Sequence, residues 1–140
     1  MERKINIFLV EDHYPDIVMM KKAFERNDLQ VSMSMARDGE EAIAYLKRSE
    51  TEQTVIMPDL IILDINLPKR SGYEVLQEVK NSARLSLIPV LILTSSKAEE
   101  DIRKSYQMQA NTYMMKPESL KEYDAIVQGI KSFWLKVVND

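Results

Sequence analysis

The sequence predicts a single α/β domain, a doubly wound parallel sheet of five strands with five helices covering both faces. Three observations carry this. Five short apolar runs alternate with five stretches whose apolar residues recur at helical spacing. Two of the runs, Leu60–Leu63 and Val90–Leu93, contain no polar residue, which suits strands buried on both sides. Four of the five runs end on a residue of definite chemistry, and in a parallel sheet those ends lie along one edge.

The first run, Ile5 to Val10, ends on Glu11-Asp12. Pro15 suits the first turn of a helix, where its missing N–H has no partner to lose. That helix is expected to reach about Asn27, with Ile17, Met20 and Phe24 inward. Val31, Met33 and Met35 alternate with serines, the period of a strand with one wetter face. Asp38-Gly39 marks a turn, and Glu40 to Arg48 reads as a helix backed by Ala42, Ile43 and Leu46. The polar stretch from Ser49 to Pro58 is expected to be loop. After the central run comes Asp64, then Pro68 and Gly72 as breakers. A helix over 72–81 buries Val75, Leu76 and Val79. Pro89 opens the fourth strand, which ends on Thr94. Lys97 to Met108 is a helix with a sparse apolar face of Ala98, Ile102 and Tyr106. Thr112 to Met115 is the last strand, ending on Lys116-Pro117, and a long helix runs from about Leu120 to Val138.

Composition narrows the function. The 140 residues suit one domain with a sizeable core, and no linker, repeat or output domain is expected within 1–140. The net charge of −3 is unlike the basic face of a nucleic-acid binder, and it offers nothing to an anionic membrane surface. With no cysteine there is no disulfide, thiolate metal site or thiol nucleophile. No apolar stretch has the length to span a bilayer, and the first residues lack a signal-peptide pattern, so the cytoplasm is the expected compartment.

The strand ends bring together Glu11, Asp12 and Asp64 with Thr94 and Lys116. Taken alone, Asp64 reads equally as a turn cap. Three carboxylates in one crevice repel one another, and a hard divalent cation such as Mg2+ relieves that conflict. Asp12 and Asp64 suit direct ligation, with Glu11 acting through water or directly. A hydroxyl and an ammonium on the same edge suit a phosphoryl group, by hydrogen bond and by point charge. The set describes a phosphoryl-accepting site in which Asp64 is the nucleophile.

In this order the residues resemble the receiver domain of two-component response regulators, over essentially the whole chain. The resemblance rests on Glu11-Asp12, Asp64, Pro68 and Gly72, Thr94, and Lys116-Pro117. It implies a flavodoxin-like receiver fold with strand order 2-1-3-4-5, phosphotransfer from a histidine kinase to Asp64, and Mg2+ as cofactor. It also implies Asn66 as a ligand through its backbone carbonyl, Tyr113 as a switch aromatic beside Thr94, and a cis peptide before Pro117. The ending Ser132-Phe133-Trp134-Leu135, the Leu67-Pro68-Lys69 after Asn66 and the long loop before the third strand are similar to single-domain regulators that partner bacterial phytochromes. The downstream protein target is not named by any of these residues.

Other functions fit less well. Phosphatases and mutases that use an aspartyl phosphate place a second Asp two residues after the first, where this chain has Asn66. A flavodoxin-type mononucleotide site needs a Ser/Thr/Gly-rich loop after the first strand, where this chain has Glu11-Asp12-His13-Tyr14. A degenerate scaffold would not need the complete acid, Thr and Lys set. His13 reads as an exposed loop residue and the methionines as core filler. On the final helix, Leu120, Tyr123, Ile126, Val127, Ile130, Phe133, Trp134, Val137 and Val138 form one stripe. A helix of about 28 Å outruns strands of about 17–20 Å. Phe133, Trp134, Val137 and Val138 are therefore expected at or beyond the core's edge. With Ile102, Tyr106 and Tyr113 they are expected to form a symmetric homodimer through the fourth helix, fifth strand and fifth helix.

Overall fold

The computed structural model describes residues 4–139, with side chains described as far as Val137. Five strands, β1 (Ile5–Val10), β2 (Val31–Ala36), β3 (Leu60–Leu63), β4 (Val90–Thr94) and β5 (Thr112–Met115), form one parallel sheet in the order β2-β1-β3-β4-β5. The helices are α1 (Tyr14–Arg26), α2 (Gly39–Thr51), α3 (Gly72–Asn81), α4 (Glu99–Gln107) and α5 (Leu120–Asn139).

The alternation of side chains along each strand divides the core in two. Ile5, Ile7, Leu9, Leu60, Ile62, Leu91 and Leu93 face one layer, packed with residues of α1 and α5. Phe8, Val10, Ile61, Leu63, Val90 and Ile92 face the other, with residues of α2 and α3. β3 and β4 are buried at every position, and the one polar residue in either is Thr94 at the end of β4. β2 pairs on one side only and its second to fifth residues are half-buried or exposed, as its serines predict.

Local chemistry sets the boundaries. Asp59 starts β3 by accepting the Asn6 N–H at 2.8 Å while donating its own N–H to the Asn6 carbonyl at 2.7 Å. Asn111 does the same for β5, accepting from the Val90 N–H at 2.8 Å and donating back at 3.0 Å. Ser71 and Glu74 form a reciprocal capping box on α3. α2 runs three residues past the expected Arg48, because Ser49 turns its hydroxyl onto the Leu46 carbonyl at 2.7 Å and stays buried on the helix. A 3-10 turn at Leu85–Leu87 precedes β4, a feature the sequence reading did not anticipate.

Two expectations need correction. All described peptide bonds are trans, including the one before Pro117. Trp134, expected at or beyond the core's edge, is only 6% exposed and packs in the core with Ile130 and Tyr123. It lies one turn beyond Ile130 on the inward line through Tyr123, Ile126 and Val127, so its long indole remains over the core where a shorter side chain would not. Phe133 and Val137 fall off that line and are exposed. The side chain of Val138 lies outside the described residues.

Candidate functional site

The residues at or just after the ends of β1, β3, β4 and β5 meet at one edge, and the geometry there is dense. The Lys116 Nζ lies 2.9 Å from Asp64 Oδ2, 3.0 Å from Glu11 Oε1 and 3.0 Å from Asp16 Oδ2. Lys116 reaches this position because its backbone N–H continues the sheet onto the Thr94 carbonyl at 2.8 Å. Glu11 and Asp64 are buried, whereas Asp12 and Asn66 are exposed at the rim. Glu11, Asp12 and Asp64 each present a carboxylate oxygen within 4.8 Å of the others.

Asp64 closes a local turn and also faces the edge. Its Oδ1 accepts the Asn66 N–H at 3.0 Å, closing a local turn, while Oδ2 faces the ammonium. Gly72 makes that turn possible: a Cβ there would sit 2.3 Å from the Asp64 carbonyl oxygen and 2.4 Å from the Ile65 Cα. Thr94 is completely buried, and its Oγ1 receives only a long 3.5 Å bond from the Ser96 N–H. Tyr113 is half-buried and donates its hydroxyl to the Ser96 carbonyl at 2.9 Å. Thr94 and Tyr113 are thus joined through one residue, Ser96.

The electrostatics follow from burial. Desolvation pushes the Glu11 carboxyl up to about 7; the His13 N–H opposes this, the Asp64 charge adds to it, and Lys116 opposes it again. Burial works against the Lys116 ammonium, but its bonds to Asp64, Asp16 and Glu11 outweigh that and hold its pKa above the ordinary lysine value. Burial would raise Asp16, yet Lys116, His13 and Tyr123 together hold it below the usual carboxylate range. A donor set made of oxygens, with one member balanced near neutrality, fits a hard divalent metal ion.

Glu11, Asp64 and Lys116 lie on one edge, as the sequence predicts, with Lys116 contacting both acids, and Asp12 joins the acid cluster. His13 is exposed, as expected. Asp16 was missed, because at the sequence level it reads as an ordinary acid in a helix's first turn. A second omission is the brace behind Tyr113. Asp101 accepts from Ser96 Oγ at 2.5 Å and from the Tyr73 hydroxyl at 2.5 Å, tying α3 and α4 to the loop after β4. Of the proposed interface residues, Tyr106 and Phe133 are exposed, while Ile102 and Tyr113 are half-buried.

The sequence model for the response regulator receiver domain matches residues 7–128, covering all of the sheet but its first two residues and every residue of this edge. The chain belongs to the response regulator receiver family. It is 39% identical to the response regulator Rcp1 of a Synechocystis species over 94% of this chain and 90% of that one. It superposes on the phosphorylated cyanobacterial phytochrome response regulator RcpA with a TM-score of 0.86 and 41% identity, covering 96% of each chain. The Mn2+-bound form of Rcp1 matches with a TM-score of 0.82 and 39% identity over 94% of each. The chain is therefore a receiver-type signalling domain similar in sequence and fold to phytochrome response regulators. No helix among the described residues is long and apolar enough to cross a membrane.

Proposed function

We propose that this chain acts as a stand-alone receiver that accepts a phosphoryl group from a phytochrome-type histidine kinase onto Asp64, in the cytoplasm and with Mg2+. The single observation that carries the reading is the Lys116 ammonium, bonded at once to Glu11 and Asp64 inside a cluster of three acids. A bound magnesium ion supplies positive charge against the carboxylates and the phosphoryl oxygens. Glu11, Asp12 and Asp64 are the side chains that would hold it, together with the Asn66 carbonyl. An Asp64 oxygen bonds to phosphorus as the P–N bond to the kinase histidine breaks, with the electron pair leaving on the imidazole nitrogen. Lys116 provides a fixed charge for a phosphoryl oxygen and the Thr94 hydroxyl a hydrogen bond.

Output follows from the Thr94–Ser96–Tyr113 linkage. Turning the Thr94 hydroxyl toward a phosphoryl oxygen gives up its long bond to Ser96, and Ser96 in turn holds the Tyr113 hydroxyl. The surface carrying Ile102, Tyr106, Tyr113 and Phe133 is where a second copy, or a downstream protein, would read the change. The test is intact mass after incubation with acetyl phosphate and magnesium. One added phosphoryl group is expected, absent from Asp64→Asn; equal labelling of that variant would overturn the assignment.

A further inference from the structure

Lys116 has three N–H donors and three carboxylate neighbours, but the three neighbours are not equivalent. Glu11 and Asp64 both belong to the cluster suited to a metal ion, and Asp64 is the residue that takes the phosphoryl group in the reading above. Asp16 belongs to neither role. It sits in the first turn of α1, and its Oδ2 lies 3.0 Å from Lys116 Nζ and 2.8 Å from His13 Nδ1. Its Oδ1 accepts the hydroxyl of Tyr123 at 3.1 Å. Tyr123, on α5, is 2% exposed, so its ring is fixed by the core, and its hydroxyl needs a buried acceptor. Asp16 is therefore anchored from α5 and gripped from α1 while it faces the ammonium.

We infer that Asp16 is a positioning residue that keeps the Lys116 ammonium over Asp64 once the metal ion and the phosphoryl group have claimed Glu11 and Asp64. The inference rests on Asp64 being the phosphoacceptor. In the ligand-free protein the ammonium has three anchors, and losing one leaves two. In the loaded protein the metal draws charge from Glu11, and the Asp64 oxygen carries phosphorus. Asp16 is then the one carboxylate, among the described contacts of Lys116, whose charge is still committed to it. A lysine stem has several free rotations, and an unanchored ammonium spends much of its time elsewhere. The same contact links the phosphorylation edge to α5 through Tyr123, so the two helices that flank the site share one fixed point.

The test compares wild type, Asp16→Ala, Lys116→Met and the double variant. Phosphorylation by acetyl phosphate should slow about tenfold in Asp16→Ala, the size of one lost bond to a charged group, with the half-saturating magnesium concentration unchanged. In the Lys116→Met background Asp16→Ala should have no further effect, because the two act as one unit. An independent readout is the rate at which Lys116 is reductively methylated, followed by mass spectrometry of its peptide. With magnesium and beryllofluoride bound, Asp16→Ala should expose Lys116 to reaction several-fold faster than wild type. Without them the two rates should be close, since Glu11 and Asp64 still hold the ammonium. Tyr123→Phe keeps the ring in the core but releases Asp16, and should shift the loaded-state rate the same way. Additive slowing in the Lys116→Met background, or equal methylation of wild type and variants in the loaded state, would overturn the inference. Failure of wild type to label at Asp64 would instead overturn the underlying assignment.

Discussion

Replacing Lys116 with methionine removes the cation from a pocket of acids while keeping most of the side-chain volume. In the folded protein the ammonium contacts Asp64, Glu11 and Asp16 at 2.9–3.0 Å, and it is 14% exposed against 4% for both Glu11 and Asp64. Stripping one partner from a buried ion pair costs about 3–5 kcal/mol. The partly open lysine and the rim position place this site at the lower end, about 3 kcal/mol, or about 10 °C in melting temperature for a domain of this size. Glu11 limits the loss by taking up a proton. Its folded pKa, already about 7 against an ordinary 4.5, rises further once the ammonium is gone. A carboxyl whose folded pKa is raised favours the folded state below its unfolded value, and that advantage fades as pH climbs through the folded value. The deficit of the variant should therefore widen from pH 6 to pH 8. Thermal melts in EDTA measure it directly. Magnesium should then stabilise the variant more than wild type, since an acid cluster with no competing ammonium binds the ion more tightly and ligand stabilisation follows affinity. A variant that melts within about 2 °C of wild type in EDTA at pH 8, well below the shift expected for a domain this size, would refute the reasoning. So would equal magnesium shifts in the two proteins.

Asp12→Ala removes an exposed member of the acid cluster and should abolish most of the magnesium-dependent shift in melting temperature; an unchanged shift would place the ion elsewhere. Gly72→Ala drives a methyl group against the backbone of Asp64 and Ile65, which cannot yield as a side chain could. It should cost about 2–3 kcal/mol in denaturant unfolding and slow phosphorylation as well. Trp134→Ala should destabilise the domain by about 3 kcal/mol, as loss of a buried aromatic does, without weakening any self-association seen in sedimentation. Asp101 is held below its ordinary 3.8 by hydrogen bonds from Ser96 and Tyr73. Its contribution is therefore complete above that value and lost as pH falls through the lower folded one, so acid melts of Asp101→Asn should lack this component.

The fold was legible because each strand announces its burial and four of the five lead straight onto a polar group. The run Leu60–Leu63 begins and ends where the sequence predicts, and so does α3, whose start is signalled by Pro68 and Gly72. What sequence could not supply was direction. Trp134 and Phe133 are neighbours on one apolar stripe, and which of them turns inward depends on the angle at which α5 lies on the sheet. Asp16 and Asp101 are polar residues in first turns of helices, indistinguishable from solvated caps until α5 and α3 bring a tyrosine to each. The trans peptide before Pro117 likewise departs from what the resemblance implied, and no neighbouring residue type signals it.

The order of the strands has a consequence in time. Lys116 bonds to a carboxylate 105 residues before it in the chain. A ribosome working from the N-terminus delivers Glu11, Asp12, Asp16 and Asp64 well before the ammonium that neutralises them. β1 lies between β2 and β3 in the sheet, but the acids these three strands bring to the edge then lack the ammonium that contacts Glu11, Asp16 and Asp64. That incomplete sheet ends on β3 as an open apolar strand until β4 and β5 arrive. The nascent chain thus carries an acidic edge without its ammonium until its last third emerges. The residue that completes its charge balance arrives with β5, the strand that closes the far edge of the sheet.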